Sequence, residues 1–136
     1  MKQMRDNFFI DSNVLLYLTD NASPKNAKAK ELIATKPLVS EQIIFECLNV
    51  CLKKLKLSKE TSINFAKYLF RTCEVVGEKK ETGIFAIELF SRFSLQGYDA
   101  KIVATALDAS CSILYSEDMQ NGLVIDNRLT IVNPFL

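Results

Sequence analysis

Phe8 to Leu18 read FFIDSNVLLYL, and the placement of Asp11 inside that run constrains everything around it. Asn7–Ile10, NFFI, has the apolar content of a short strand, and Asn13–Leu18 begins a helix directly after it. An ionised carboxylate taken out of water between two apolar segments is unstable unless it caps a turn, pairs with a cation or binds one. A strand that ends on an acid and turns at once into a helix opens an alternating chain, and the remaining sequence continues the alternation.

Ser23-Pro24 marks a second helix start, since proline suits a first helical turn. PLVS (residues 37–40) is a short strand, and Ser40 can cap the helix that follows. In that helix Ile43, Ile44, Cys47, Leu48, Cys51, Leu52 and Leu55 recur at helical spacing and define a broad apolar face. Ser58 starts another helix, through Phe65 and Leu69 toward Arg71. CEVVG (73–77) reads as a strand ended by Gly77, EKKETGIFAIELFSRF (78–93) as a helix, and YDAKIVATALDAS (98–110) as a helix entered through Gly97. SILYS (112–116) is a strand, GLVI (122–125) a short strand or turn arm, and LTIVN (129–133) a last strand before Pro134. Strands separated by helices predict an α/β fold, a central parallel sheet with helices on both faces.

With 136 residues and 49% hydrophobic content, the chain has room for one full core and not for two, so residues 1–136 are expected to form a single domain. After MKQMRDN only three apolar residues precede Asp11, too few for the apolar region of a signal peptide, and no later run approaches membrane-spanning length. The expected compartment is the cytoplasm, with no membrane partner. Cys47, Cys51, Cys73 and Cys111 show no C-x-x-C pairing, which favours reduced core thiols over disulfides or a zinc site. The absence of histidine removes Ser-His and Cys-His nucleophile pairs, imidazole acid–base chemistry and His-rich metal sites. Hydrolytic chemistry here has to lean on carboxylates and metal ions. A net charge of +1 carries no nucleic-acid signature, and the lysines of LKKLKLSK (52–59) are ordinary for a solvated helix end.

In open parallel sheets, ligands gather beyond the carboxyl ends of the strands, where connections diverge to opposite faces. Asp11 falls at that edge, and so does Asp118, which follows SILYS in YSEDMQNG. Either alone is an ordinary turn or cap residue, but two at one edge make capping a less sufficient explanation. Asp99 is the sharpest case. At about 100° per residue, Ile102, Val103, Ala106 and Leu107 cluster on one helix face, and Asp99 projects near the middle of that face in the first turn. It is either an N-cap or a carboxylate in need of a partner, whereas Asp108 falls on the polar side. Glu46 lies on a polar stripe with Gln42, Asn49 and Lys53, where solvent accounts for it. Its interest is positional, since the first two turns after PLVS can reach the same sheet edge.

FIDSNVLLYL, VSEQIIFECLNV, YDAKIVATALDASCSILYSEDMQNG and LTIVNPF together cover nearly the whole chain. In order and spacing they resemble a PIN domain and, within that family, the VapC-type toxins of prokaryotic toxin–antitoxin pairs. The resemblance implies a three-layer α/β/α fold and a metal-dependent ribonuclease. Its acidic site would be Asp11 in I-D-S-N, Glu46 in F-E-C-L-N, Asp99 in Y-D-A and Asp118 in S-E-D-M. Asn13 and Ser116 would be polar supports that orient carboxylates or bound water. The family often has threonine where Ser116 stands, a change that retains the hydroxyl, and Glu117 would be a secondary acidic contact.

Four converging carboxylates repel one another, and their pKa values rise, unless divalent cations neutralise them; Mg²⁺ or Mn²⁺ prefers such oxygen ligands. Two ions about 3.5–4 Å apart can activate water against a phosphodiester and stabilise the departing oxygen, leaving 5′-phosphate and 3′-hydroxyl ends. RNA entering an acidic cleft needs basic residues at its rim. Lys53, on the stripe of Glu46, is the candidate contact, and Arg92 is another. The family also implies a cognate antitoxin over the cleft, operator DNA bound only through that antitoxin, and a homodimer. The apolar IIFECLNVCLKKLKL and INFAKYLF supply hydrophobic surface for such partners. Two alternatives stay open. One is a PIN-like module that works chiefly by binding a protein partner. The other is a haloacid-dehalogenase-type phosphatase, suggested by the strand-D-S-N-V opening, although Asn13 stands where that family has its second acid and Asp99 would have no role.

Overall fold

Phe8–Ile10, the strand expected from the opening run, lies at the centre of the sheet. The computed structural model describes residues 7–136, so the leading MKQMRD lies outside the described residues. β1 (Phe8–Ile10) runs into α1 (Ser12–Leu15), which tightens into a 3₁₀ turn over Leu16–Thr19 before α2 (Asn26–Ile33). β2 (Leu38–Ser40) leads into α3 (Glu41–Lys53) and α4 (Lys59–Thr72), and β3 (Glu74–Val76) into α5 (Lys80–Arg92) and α6 (Gly97–Asp108). β4 (Ile113–Tyr115), β5 (Val124–Ile125) and β6 (Leu129–Val132) follow.

The strand order is β3-β2-β1-β4-β6-β5. All neighbours pair in parallel except β5, which runs antiparallel to β6 and adds a hairpin edge to the expected parallel sheet. The architecture is the three-layer α/β/α sandwich. From β1 the chain passes to β2 on one side, and after β3 it returns to β4 on the other. The crevice beyond the carboxyl ends of β1 and β4 is therefore where the connections diverge.

Local chemistry sets several element boundaries. The Ser40 hydroxyl accepts from the Ile43 N–H at 3.4 Å and caps α3, and the Ser58 hydroxyl accepts from Thr61 N–H at 3.0 Å and caps α4. α3 buries Ile43, Ile44, Cys47 and Cys51; Leu52, in its last turn, and Leu55, beyond its end at Lys53, are exposed rather than on the core face. Ser23-Pro24 sits in a turn ahead of α2 and does not start it. The first turn of α2 is set by Asn26, whose buried side chain donates to the Tyr17 carbonyl at 2.9 Å. The expected Asn13–Leu18 helix is divided, because its last turn tightens around the Leu16 carbonyl, which accepts from the Thr19 hydroxyl at 2.7 Å.

Phe9, Ile10, Leu114, Leu129 and Ile131 fill the sheet centre, and Ile43, Leu69, Leu89 and Val103 close on them from the helices. All four cysteines are free and buried. Burial pushes the thiols of Cys73 and Cys111 up to about 11 and about 12, so both are protonated and unreactive at neutral pH. Among the described residues no helix is long and apolar enough to cross a membrane. Leu114 is fully buried in β4, paired with Phe9 of β1 on one side and Ile131 of β6 on the other. Leu114→Ala is expected to cost about 2–5 kcal/mol in urea unfolding, with the m-value unchanged.

Candidate active site

Asp11 follows β1 directly and is only 4% exposed. Its N–H donates to the Tyr115 carbonyl at 2.9 Å, extending the β1–β4 ladder by one residue. Oδ1 accepts from the Ser12 N–H at 2.8 Å, so Asp11 does cap α1. Oδ2 accepts from the Ser116 hydroxyl at 2.9 Å and from the Asn13 amide at 3.1 Å. Ser116 follows β4 as Asp11 follows β1. Its oxygen donates to Asp11 and accepts from the Asn13 amide (3.3 Å) and the Met119 N–H (3.3 Å), which uses the full capacity of a hydroxyl. The Asn13 carbonyl in turn accepts from the Glu117 N–H at 3.0 Å. Burial nonetheless outweighs these donors. It lifts the Asp11 carboxyl to about 6 against the lowering effect of Ser116 and Ser12, and the charges of Asp99 and Glu46 push the same way.

Glu46 is half-buried, and solvent is not its explanation. Its Oε1 accepts from the Gln42 amide one turn earlier at 2.8 Å, and its Oε2 accepts from the Ser12 hydroxyl at 3.1 Å. Asp99 lies in the first turn of α6, but the N-cap is Gln96, so Asp99 is not the capping residue. Its burial raises its pKa, and the charges of Glu46 and Asp118 raise it further. Asp118 is exposed. Asp11, Glu46, Asp99 and Asp118 all line one cleft of about 470 Å³, together with Asn13 and Lys54.

The acids share the cleft without converging. Among the described residues no three acids, cysteines or histidines stand close enough to hold one ion, and none of these four carboxylates forms an ion pair. Glu46 is drawn to Gln42 and Ser12, and Asp11 to Ser116 and Asn13, so each charge is satisfied by its own neutral donors. The donor chemistry fits a hard divalent cation: every acid offers oxygen, and the raised carboxyls of Asp11 and Asp99 are the electrostatic cost that a cation would relieve.

The basic residues fall differently from expectation. Lys54 lines the cleft, whereas Lys53 is exposed and is not part of its lining. Arg92 is engaged by both oxygens of Asp126, at 3.0 and 3.1 Å, and anchors α5 to the β5–β6 hairpin. Glu117 faces the Tyr17 hydroxyl and the Lys25 ammonium instead of the cleft. Burial disfavours its charge, but the hydrogen bonds from Lys25 and Tyr17 prevail and hold its carboxyl below the usual range. Ser12 and Gln42 are contributors that the sequence did not single out. Only Gln42 carried a signal, its i,i+4 spacing to Glu46.

Protonation of Asp11 gives the metal-free protein a defined pH response. Above about pH 6 the carboxylate is charged in both folded and unfolded states and folding bears the burial cost; as pH falls, the folded state takes up the proton first. Stability in EDTA is expected to rise by about 1 kcal/mol between pH 7.5 and pH 5 in urea titrations. Asp11→Asn should lose most of that rise.

The PIN domain family model matches residues 8–120, a span that contains every acid of the cleft. No curated protein matches the chain. Among solved structures, a toxin–antitoxin complex from Klebsiella pneumoniae aligns at TM-score 0.68 and 20% identity over 94% of this chain and 98% of its own. DNA-bound VapBC from Salmonella typhimurium aligns at 0.71 and 14% identity over 93% and 97%. VapC20 of Mycobacterium tuberculosis, a sarcin–ricin-loop-cleaving toxin, aligns at 0.68 and 18% identity over 82% and 90%. These likenesses establish a shared fold, and with the match across 8–120 the chain belongs to the PIN domain family.

Proposed function

We propose that this PIN-domain protein is a divalent-metal-dependent endoribonuclease, the toxin of a VapBC-type toxin–antitoxin pair. The observation that carries the reading is the single cleft lined by Asp11, Glu46, Asp99 and Asp118 at the divergence point of the sheet. PIN and VapC proteins are nucleases, and the absence of histidine leaves carboxylates as the groups able to serve hydrolysis.

Asp11, Glu46, Asp99 and Asp118 would hold Mg²⁺ or Mn²⁺, which when bound neutralises the phosphodiester and acidifies the attacking water. The chain's own part is orientation. Ser12, Asn13 and Ser116 fix both oxygens of Asp11, and Gln42 and Ser12 fix those of Glu46. Asp118, the most exposed of the four, reorients at the least cost. Lys54 offsets the repulsion between RNA phosphate and the acids, the part assigned to Lys53 from sequence.

The partners follow from the same reading. The Klebsiella structure is a toxin–antitoxin complex, and the Rickettsia felis and Salmonella VapBC structures carry DNA. A cognate antitoxin would cover the cleft here and make the contact with operator DNA, in the cytoplasm. Phe45, Ile63 and Phe70, exposed on α3 and α4, offer apolar surface to that partner or to a second copy. The failure of the carboxylates to converge favours one competing reading, a PIN fold that binds without cutting. Membership of the PIN family leaves the phosphatase alternative without support.

Cleavage of a structured RNA pool by purified protein decides between the two. Cutting with Mg²⁺ or Mn²⁺, abolished by EDTA and by Asp99→Asn, is the expected result; cutting that survives Asp99→Asn sinks the four-acid site. Persistent inactivity beside intact partner binding supports the binding module. On a cleaved RNA, Lys54→Ala should raise KM with little change in kcat and lower the salt dependence of binding by about one phosphate contact.

A further inference from the structure

Lys25 and Glu117 form an ion pair outside the acidic cleft, and its surroundings set it apart from the other pairs. The Lys25 ammonium lies 5.1 Å from the centre of the Tyr17 ring and 5.2 Å from that of Phe135. The two rings pack edge to face at 5.1 Å. The Tyr17 hydroxyl donates to Glu117 Oε1 at 2.5 Å while Lys25 takes Oε2, so both carboxylate oxygens are held. By contrast, Lys28–Glu31 and Arg92–Glu88 join neighbouring turns of one helix at 3.6 and 4.0 Å, and Arg92 lies over one ring, that of Phe93, rather than against two.

Glu117 stands between two residues of the cleft's machinery. Ser116 before it donates to Asp11, and Asp118 after it lines the cleft. The Glu117 N–H is held by the Asn13 carbonyl at 3.0 Å. With its amide bound on one side and its carboxylate on the other, residue 117 is tied at both ends, and the backbone that carries Asp118 is held with it. We infer that the clamp of Lys25, Tyr17 and Glu117 positions Asp118 for cation binding, which makes Lys25 and Glu117 positioning residues of the acidic site. This inference rests on the reading of the four acids as a metal site.

Charge alone predicts the opposite effect for Lys25. Deleting a cation near an acidic cleft strengthens the field that attracts another cation, whereas losing the clamp frees Asp118 and weakens the site. Loss of such supporting contacts typically lowers metal affinity by about 10–100-fold.

The test is Mn²⁺ titration of the full chain by calorimetry, with circular dichroism confirming the fold of each variant. Lys25→Met is expected to bind Mn²⁺ about tenfold more weakly than wild type, and Lys25→Arg to restore most of the loss. Unchanged or tighter binding by Lys25→Met overturns the clamp. If Lys25→Met does not fold, Tyr17→Phe, which removes the hydroxyl contact to Glu117 without changing the charge, carries the decision: weaker binding supports the clamp and unchanged binding overturns it. A wild-type protein that takes up no Mn²⁺ overturns the metal-site reading itself, and the clamp's proposed role with it.

Discussion

The Ser116 hydroxyl donates to Asp11 across the seam between β1 and β4, and the cleft exists only if that seam is in register. Phe8, Phe9 and Ile10 face Ile113, Leu114 and Tyr115, so the residues that follow each strand meet at the same height. A slip of one residue would turn alternate side chains to the wrong face and separate the hydroxyl from the carboxylate. Register is held by the burial of Phe9, Ile10 and Leu114, which lose their core positions in any shifted pairing. Hydrogen bonds to a charged group contribute about 1.5–3 kcal/mol each, and the upward shift of the Asp11 carboxyl says that at this depth they do not cover the loss of hydration. The hydrophobic core offsets the remainder.

Like charges in one cleft set a second constraint. Two carboxylates 4 Å apart repel by about 4 kcal/mol at an effective dielectric constant of 20, comparable with the cost of a buried core truncation. The fold keeps the acids facing the same space while giving two of them neutral donors: Ser116 and Asn13 for Asp11, Gln42 for Glu46. Ser12 serves both, with its N–H on Asp11 and its hydroxyl on Glu46. The raised carboxyls of Asp11 and Asp99 are what remains of the cost after those donors are counted. Asp99, half-buried and facing the charges of Glu46 and Asp118, carries the rest of the strain.

Asp11 and Asp99 were legible in the sequence because a carboxylate among apolar residues is an anomaly that periodicity exposes. The sheet was legible because apolar runs alternate with helical spacing, although the two-residue β5 is too short for its direction to be read. Helical periodicity alone could not single out Glu46, since a polar stripe looks the same whether it faces water or the donors Ser12 and Gln42. Lys53 was chosen over Lys54 by continuing a helical wheel to its end. Lys54 continues the helical geometry of α3, its N–H donating to the Val50 carbonyl at 2.9 Å, and it reaches the cleft one turn beyond Val50 and two beyond Glu46. The pairing of Lys25 with Glu117 spans 92 residues and leaves no local trace.

Neighbours that share this fold at 14–20% identity show that most of its positions can change without altering it. A core position such as Leu114 needs volume and apolarity, and residues of similar size can exchange there with modest cost. Ser116 has no such freedom. Its oxygen makes one donation and two acceptances in a fully buried position, so alanine would leave the Asn13 amide short of one acceptor, the Met119 N–H unpaired and Asp11 without its strongest donor. A hydroxyl has to stand there, and serine or threonine provides it. The seam therefore ties side-chain identity to chemistry at the few positions where hydrogen bonds rather than volume decide the structure.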